Sequence, residues 1–203
     1  MDRIILPSKN IIEPLRDNPD ARYAAKHPIE SGLALHGVYQ CDQYRKGNLI
    51  AGGHPEAPNT FITEGMNYLL DVIFGTTSKT GAAIWYLGIF QNNVTPAAAN
   101  VAATALGAAG TYGAVQATTD VDETAFEAYT IAAAASASCT NAASKAEYTM
   151  ADTMTIYGAF LCNTSDPTST AGKLISAKKF SASRSVIADD VLSITYVITL
   201  TTS

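Results

Sequence analysis

Between Leu192 and Thr201 apolar and hydroxyl residues alternate almost without a break. Leu192, Ile194, Tyr196, Ile198 and Leu200 share one parity, and Ser193, Thr195, Thr199 and Thr201, with Val197, share the other. A period of two held over ten residues suits an extended strand with one face in a core, because a helix would scatter these side chains around its axis. The pattern also dictates register: a slip of one residue would bring every apolar group to the other face at once. Asp189-Asp190 reads as the turn that feeds this strand.

Weaker versions of the same signal recur upstream. Leu33 to Tyr44 reads as a strand, Arg45-Lys46-Gly47-Asn48 as a turn with residues able to take positive φ, and Leu49 to Ala51 as a short return. Thr124 to Ile131 and Ser144 to Met150 alternate in part. Thr153 to Leu161 sets Met154, Ile156 and Phe160 on one face against Thr155 and Tyr157 on the other. Strands this short, separated by Gly, Pro, Asn and Ser, predict a mainly β protein: an antiparallel β-sandwich, jelly-roll-like, of about seven or eight strands.

One helix interrupts them. Thr60 or Thr63 can cap it, Met66, Leu69, Leu70, Ile73 and Phe74 fall on one apolar face, and Gly75 stops it, so a short helix docked on the core is expected. The run from Ile84 to Phe90 is too short for a helix and reads as a strand buried on both faces. Pro96 to Gly113 is Ala, Gly and Thr with little to bury, and predicts a long surface loop.

The first 32 residues differ. Pro7, Pro14, Pro19 and Pro28 break a segment with neither period, which predicts an extended N-terminal arm over 1–32 and a β-sandwich domain over 33–203. At about 3.3 Å per residue the arm could reach on the order of 100 Å. Its apolar residues, Ile4, Ile5, Leu6, Ile11, Ile12, Leu15 and Tyr23, are the candidate partner-binding set.

Composition argues against several functions. Charged residues make up 15% of the chain, so Ser, Thr and Asn must solvate much of the surface, as suits a protein packed against neighbours. The net charge is −5 and falls entirely within residues 61–203, against a nucleic-acid surface. No apolar run is long enough to cross a bilayer, and the N-terminus lacks a secretory h-region, so a protein held in the cytoplasm until assembly is expected. Cys41, Cys139 and Cys162 are odd in number and far apart, and read as reduced and mostly buried.

Catalytic constellations are missing from the pattern. His27, His36 and His54 form no metal-binding pair, and no G-x-S-x-G elbow exists. We therefore expect no catalytic or metal site, no cofactor and no small-molecule substrate. Asp120, Asp122 and Glu123 could offer oxygens to calcium, but the Gly and distal Glu of an EF-hand are missing, and a solvated acidic loop is the better reading. Trp85 and Tyr86 could stack on a sugar, yet neighbours in a strand face opposite sides. Lys173, Lys178, Lys179 and Arg184 form a basic cluster that could face a neighbour's carboxylates.

The Asn-Thr-Phe lead-in, the Thr-Glu-Gly-Met-Asn-Tyr-Leu-Leu-Asp helix and the Trp-Tyr-Leu-Gly-Ile-Phe strand within Asn59–Phe90 resemble, in layout, small structural proteins of tailed-bacteriophage virions. That resemblance implies a non-enzymatic, multicopy virion component. With no fibrous repeat to suggest a shaft, it points to a capsid decoration or cement protein. Its partners would be the major capsid protein and copies of itself. The alternatives are a neck or tail structural protein, or a carbohydrate-binding adhesin module.

Overall fold

Alternation along the chain resolves into ten strands and two helices among the residues that the computed structural model describes, 33–75 and 85–202. The expected arm, with its seven apolar candidates and His27, lies outside the described residues. In chain order the elements are β1 (Leu33–Arg45), β2 (Asn48–Ala51), β3 (Thr60–Phe61), α1 (Thr63–Phe74), β4 (Tyr86–Phe90), α2 (Ala102–Ala105), β5 (Glu127–Ala128), β6 (Ser138–Thr140), β7 (Ala146–Thr149), β8 (Met154–Cys162), β9 (Leu174–Val186) and β10 (Val191–Thr202). One antiparallel sheet has the order β2-β1-β10-β6, with β7 also on β10; the other runs β3-β9-β8-β4-β5. The pairs β1 with β10, β3 with β9 and β4 with β8 nest, so the early strands zip against the late ones in a jelly-roll-like winding. Residues Leu35–Thr201 form one compact unit.

The inner faces of the two sheets share a core. Tyr39, Leu192, Ile194 and Tyr196 come from the first sheet, and Leu87, Ile89, Ile156, Ala159 and Leu161 from the second. As the alternation of β10 requires, Leu192, Ile194 and Tyr196 are fully buried and Ile198 packs on the same core. Leu200 departs from the expectation at 38% exposed, because the strand outruns the core. Ser193, expected outside, is buried beside its cross-strand neighbour Glu147, whose Oε1 lies 3.4 Å from its Oγ.

Tyrosine hydroxyls tie the layers together. Tyr39 Oη lies 2.9 Å from Ser176 Oγ on β9, which donates to Tyr196 Oη at 2.9 Å, while the two rings stack at 4.0 Å. Tyr148 on β7 donates to the Leu87 carbonyl on β4, and Tyr129, just past β5, donates to the Tyr196 carbonyl at 3.2 Å. Burial pushes the pKa values of Tyr39 and Tyr148 up, so both hydroxyls keep the protons they share. Gly37 makes room: a Cβ there would lie 2.3 Å from Tyr196 Oη and 2.2 Å from Asn59 Oδ1.

Turns and strand ends use side chains as backbone substitutes. Lys46 and Gly47, at φ 51° and 77°, form the two-residue turn that matches strand twist. Asn141 fills the gap between β7 and β6 on β10: its Nδ2 donates to the Ile194 carbonyl at 3.0 Å and its Oδ1 accepts from the Tyr196 N–H at 2.7 Å, as a peptide group would. Buried Asp190, in the turn before β10, accepts two bonds from Arg45 at 2.7 Å, one from Gln43 at 2.9 Å and one from the Ile187 N–H at 3.1 Å.

Three expectations are corrected. Phe160 does not share a face with Ile156: the β8–β9 register shifts between Ile156, opposite Arg184, and Gly158, opposite Lys179, and across this irregularity Ile156 and Ala159 point inward while Phe160 points outward. Thr124 to Ile131 supplies only the two-residue β5, and the segment from Pro96 to Gly113 is no bare surface loop. Ala102, Ala105, Leu106 and Tyr112 pack with Phe90, Phe160 and Leu174 into a second core on the outer face of the second sheet. Alanines look like poor core formers in sequence, but their small side chains let α2 lie close over the aromatic rings. β4 is thereby buried on both faces, as expected, with Leu87 and Ile89 inside and Phe90 outside.

Replacing Ile194 by Ala should cost about 2–5 kcal/mol through lost burial and a cavity, while Leu200→Ala should change stability by less than about 1 kcal/mol, both measured by chemical denaturation. The Arg45 guanidinium, with Gln43 and the Ile187 N–H, holds Asp190 down at about 2 against the opposing effect of burial. A depressed carboxylate stabilises the fold above its unfolded pKa, and that contribution is lost as pH falls from about 4 through about 2. An acid titration of unfolding should therefore show this loss in the wild type, and a smaller one in Arg45→Ala, which is already less stable at neutral pH.

Candidate interaction surface

Helix α1 is held at its N-terminal end. Neither Thr60 nor Thr63 caps it with a side chain; the N-cap is Ile62, and the Thr63 N–H is satisfied by the Ala98 carbonyl at 2.9 Å. Glu64 in the first turn accepts from the backbone N–H of Ala102 at 2.9 Å and of Leu174 at 3.1 Å, and pairs with Lys173 at 3.3 Å. Burial alone would raise its pKa, but those hydrogen bonds and the lysine outweigh it and hold the carboxyl below its ordinary value. One residue on, Gly65 approaches β9 so closely that a Cβ would lie 2.4 Å from Ile175 Cα. Leu69 then packs on the inner core, and Tyr68 meets Trp85 edge to face at 5.8 Å.

Beyond that point the apolar face is open. Leu70 is 51% exposed, Ile73 65% and Phe74 81%, which corrects the expectation that the whole face docks on the core. Periodicity defines a face but not the length of the groove beneath it, and here the groove supports only the first two turns. The helix ends at Gly75, as expected, though with extended backbone rather than a left-handed cap, its N–H on the Asp71 carbonyl at 3.0 Å. Leu49 and Ile50 on the edge strand β2 are also about half exposed.

The residues weighed for chemistry are dispersed. His36 Nε2 lies 3.0 Å from Thr201 Oγ1, and His54 Nδ1 lies 2.9 Å from the Gly52 carbonyl. Among the described residues no three His, Cys, Asp or Glu side chains are grouped to hold a metal ion. In the acidic loop, Asp120 accepts from the Gln116 N–H at 2.7 Å, and both Glu123 oxygens accept from the Thr149 N–H at 2.9 and 3.1 Å. These carboxylates fasten the loop to itself and to β7. The thiols of Cys41 and Cys162 are buried and pushed up to about 12, which leaves almost no thiolate at neutral pH. Cys139, half-buried, is also a free thiol.

Nor do the basic residues form a patch. Arg184 is buried, pairs with Glu56 at 3.4 Å and donates to the Cys41 carbonyl at 3.2 Å; Lys173 is on Glu64, and Lys178 donates to the Pro58 carbonyl at 3.2 Å. Lys178 and Lys179 do line, with Thr60 and Thr95, an open cleft of about 220 Å³. Trp85 packs against the inner core and Tyr86 against the outer one, so the two rings form no joint platform. No helix among the described residues is long and apolar enough to cross a membrane.

What remains is a surface feature: a stripe of three large, exposed apolar side chains toward the C-terminal end of α1. No sequence signal separated its exposed part from its docked part. Compared with protein-family models, with curated proteins and with solved structures, the chain matches none significantly. Because Ile73 and Phe74 are largely exposed, replacing either by Ser should change the unfolding free energy by less than about 0.5 kcal/mol, whereas Gly65→Ala should lower stability clearly; differential scanning calorimetry checks both.

Proposed function

We propose that this chain is a non-enzymatic structural protein of a tailed-phage virion, a capsid decoration protein that binds the major capsid lattice and copies of itself. The observation that carries this reading is the open apolar face of α1. A side chain such as Phe74, 81% exposed and adjoined by Ile73 and Leu70, has a use where a neighbour covers it. Three further features support the reading. The Asn59–Phe90 layout resembles virion structural proteins, the surface is solvated by hydroxyl groups more than by charge, and the two-core sandwich is a stiff platform for contacts repeated over a lattice.

The mechanism is additive burial. Each copy contributes modest area through its body, and the tethered apolar residues of 1–32 add contacts at high effective concentration, so weak interactions sum across the particle. A chain beginning at Ser31 should keep its melting temperature yet bind particles far more weakly, as measured by occupancy on purified capsids under dilution. Unchanged occupancy would refute the latch. Copy number tests the post: hundreds per particle fit a decoration protein, whereas about six or twelve would assign it to the neck or tail.

A further inference from the structure

We infer that the open face of α1 is the docking site for the N-terminal segment of a second copy of this chain, with Ile4, Ile5 and Leu6 laid against Leu70, Ile73 and Phe74. The inference deepens the proposed self-association by naming its two halves. The first argument is complementarity of shape and polarity. Leu70, Ile73 and Phe74, spaced i, i+3, i+4, make one continuous apolar stripe, and Ile4-Ile5-Leu6 is an uninterrupted apolar triplet of matching size.

The second argument is charge. The last turn of α1 holds Asp71 and no basic residue, so the negative end of the helix dipole has no cation beside it on the helix. Arg3 and Lys9 flank the triplet, and residues 1–9 carry a net charge of +1 against Asp2 alone. A cation on either side of the apolar contact suits a helix end that is negative and apolar together.

The third argument is reach. Among the described residues nothing closes over the face, which stays open. Gly37, early in β1, accepts from the Asn59 N–H at 2.9 Å, four residues before α1, so the start of β1 lies beside the lead-in to α1. Between Leu6 and Leu33 lie enough residues to span about 90 Å at ~3.3 Å each, against a radius of gyration of about 15 Å for a unit of this size. The segment is long enough to serve a neighbour.

The test uses the full-length chain and two variants, Phe74→Asp and Ile5→Asp, in sedimentation velocity without particles. Wild type should associate with rising concentration, and each variant alone should need at least tenfold more protein to do so, with its thermal midpoint unchanged. Mixed in equal amounts, the two variants should form a 1:1 complex, because one supplies an intact face and the other an intact segment. The inference is overturned if wild type stays monomeric, if either variant associates like wild type, or if the mixture yields no complex. Capsid occupancy measured on the same proteins separates the two readings: particle binding without self-association would remove this inference and leave the decoration role standing.

Discussion

The hydrogen bonds that Tyr39, Tyr196 and Tyr148 make across the sandwich are the constraint on which the rest of the structure depends. A tyrosine buried to 0% exposure contributes a large apolar ring but carries a hydroxyl that costs free energy unless it finds a partner. Here the partners lie on the opposite sheet, at Ser176 and at the Leu87 carbonyl, so satisfying each hydroxyl also sets the spacing and alignment of the two sheets. Aliphatic packing alone would tolerate sliding between the layers. A donor aimed at one atom does not.

Charge is handled in the same way. Glu56 and Arg184 are both buried, and further hydrogen bonds offset the desolvation of the pair, although Arg184 Nε has no partner among the described residues. Glu56 accepts from the Ser181 N–H at 2.8 Å, while Arg184 donates to the carbonyls of Cys41 and Ala182 and lies over the Phe180 ring at 5.4 Å. The segment after β2 is thereby bonded to both sheets and shields part of the edge of β1, where the N–H groups of Glu56 and Asn59 meet the carbonyls of Tyr39 and Gly37. An edge covered in this way is closed to unplanned strand pairing.

The outer layer shows how a chain with few large apolar residues builds a second core. Aromatic rings from the sheet, Phe90 and Phe160, meet Tyr112 and Phe126 from the covering segment, and alanines fill the spaces between. Tyr112 Oη donates to Asn100 Oδ1 at 2.9 Å, which also accepts from the Ala97 N–H at 2.8 Å, so the irregular backbone is stapled without a long helix. With both faces of the second sheet covered and α1 anchored on it by Glu64 and Gly65, the apolar end of that helix is held out on a rigid support. Rigidity matters for binding, since a contact already in place loses little freedom when a partner arrives.

Local backbone geometry was legible in the chain itself. The alternation of Leu192 to Ile198, the Lys46-Gly47 turn, the doubly buried strand at Tyr86–Phe90 and the extent of α1 up to Gly75 all follow from periods and turn residues acting within a few positions. Which surface meets those faces was decided elsewhere. The register shift at Ile156–Gly158 reverses the faces of β8 because of its pairing with β9, some twenty to thirty residues on. The packing of Ala102 and Tyr112 needs Phe90 and Phe160 in place, and the acid at position 190 gains its role from Arg45, 145 residues away. The open part of α1 belongs to the same class: sequence marks Leu70, Ile73 and Phe74 as apolar, and only the tertiary structure leaves them exposed. Periodicity is a property of one segment, whereas burial is a property of two surfaces.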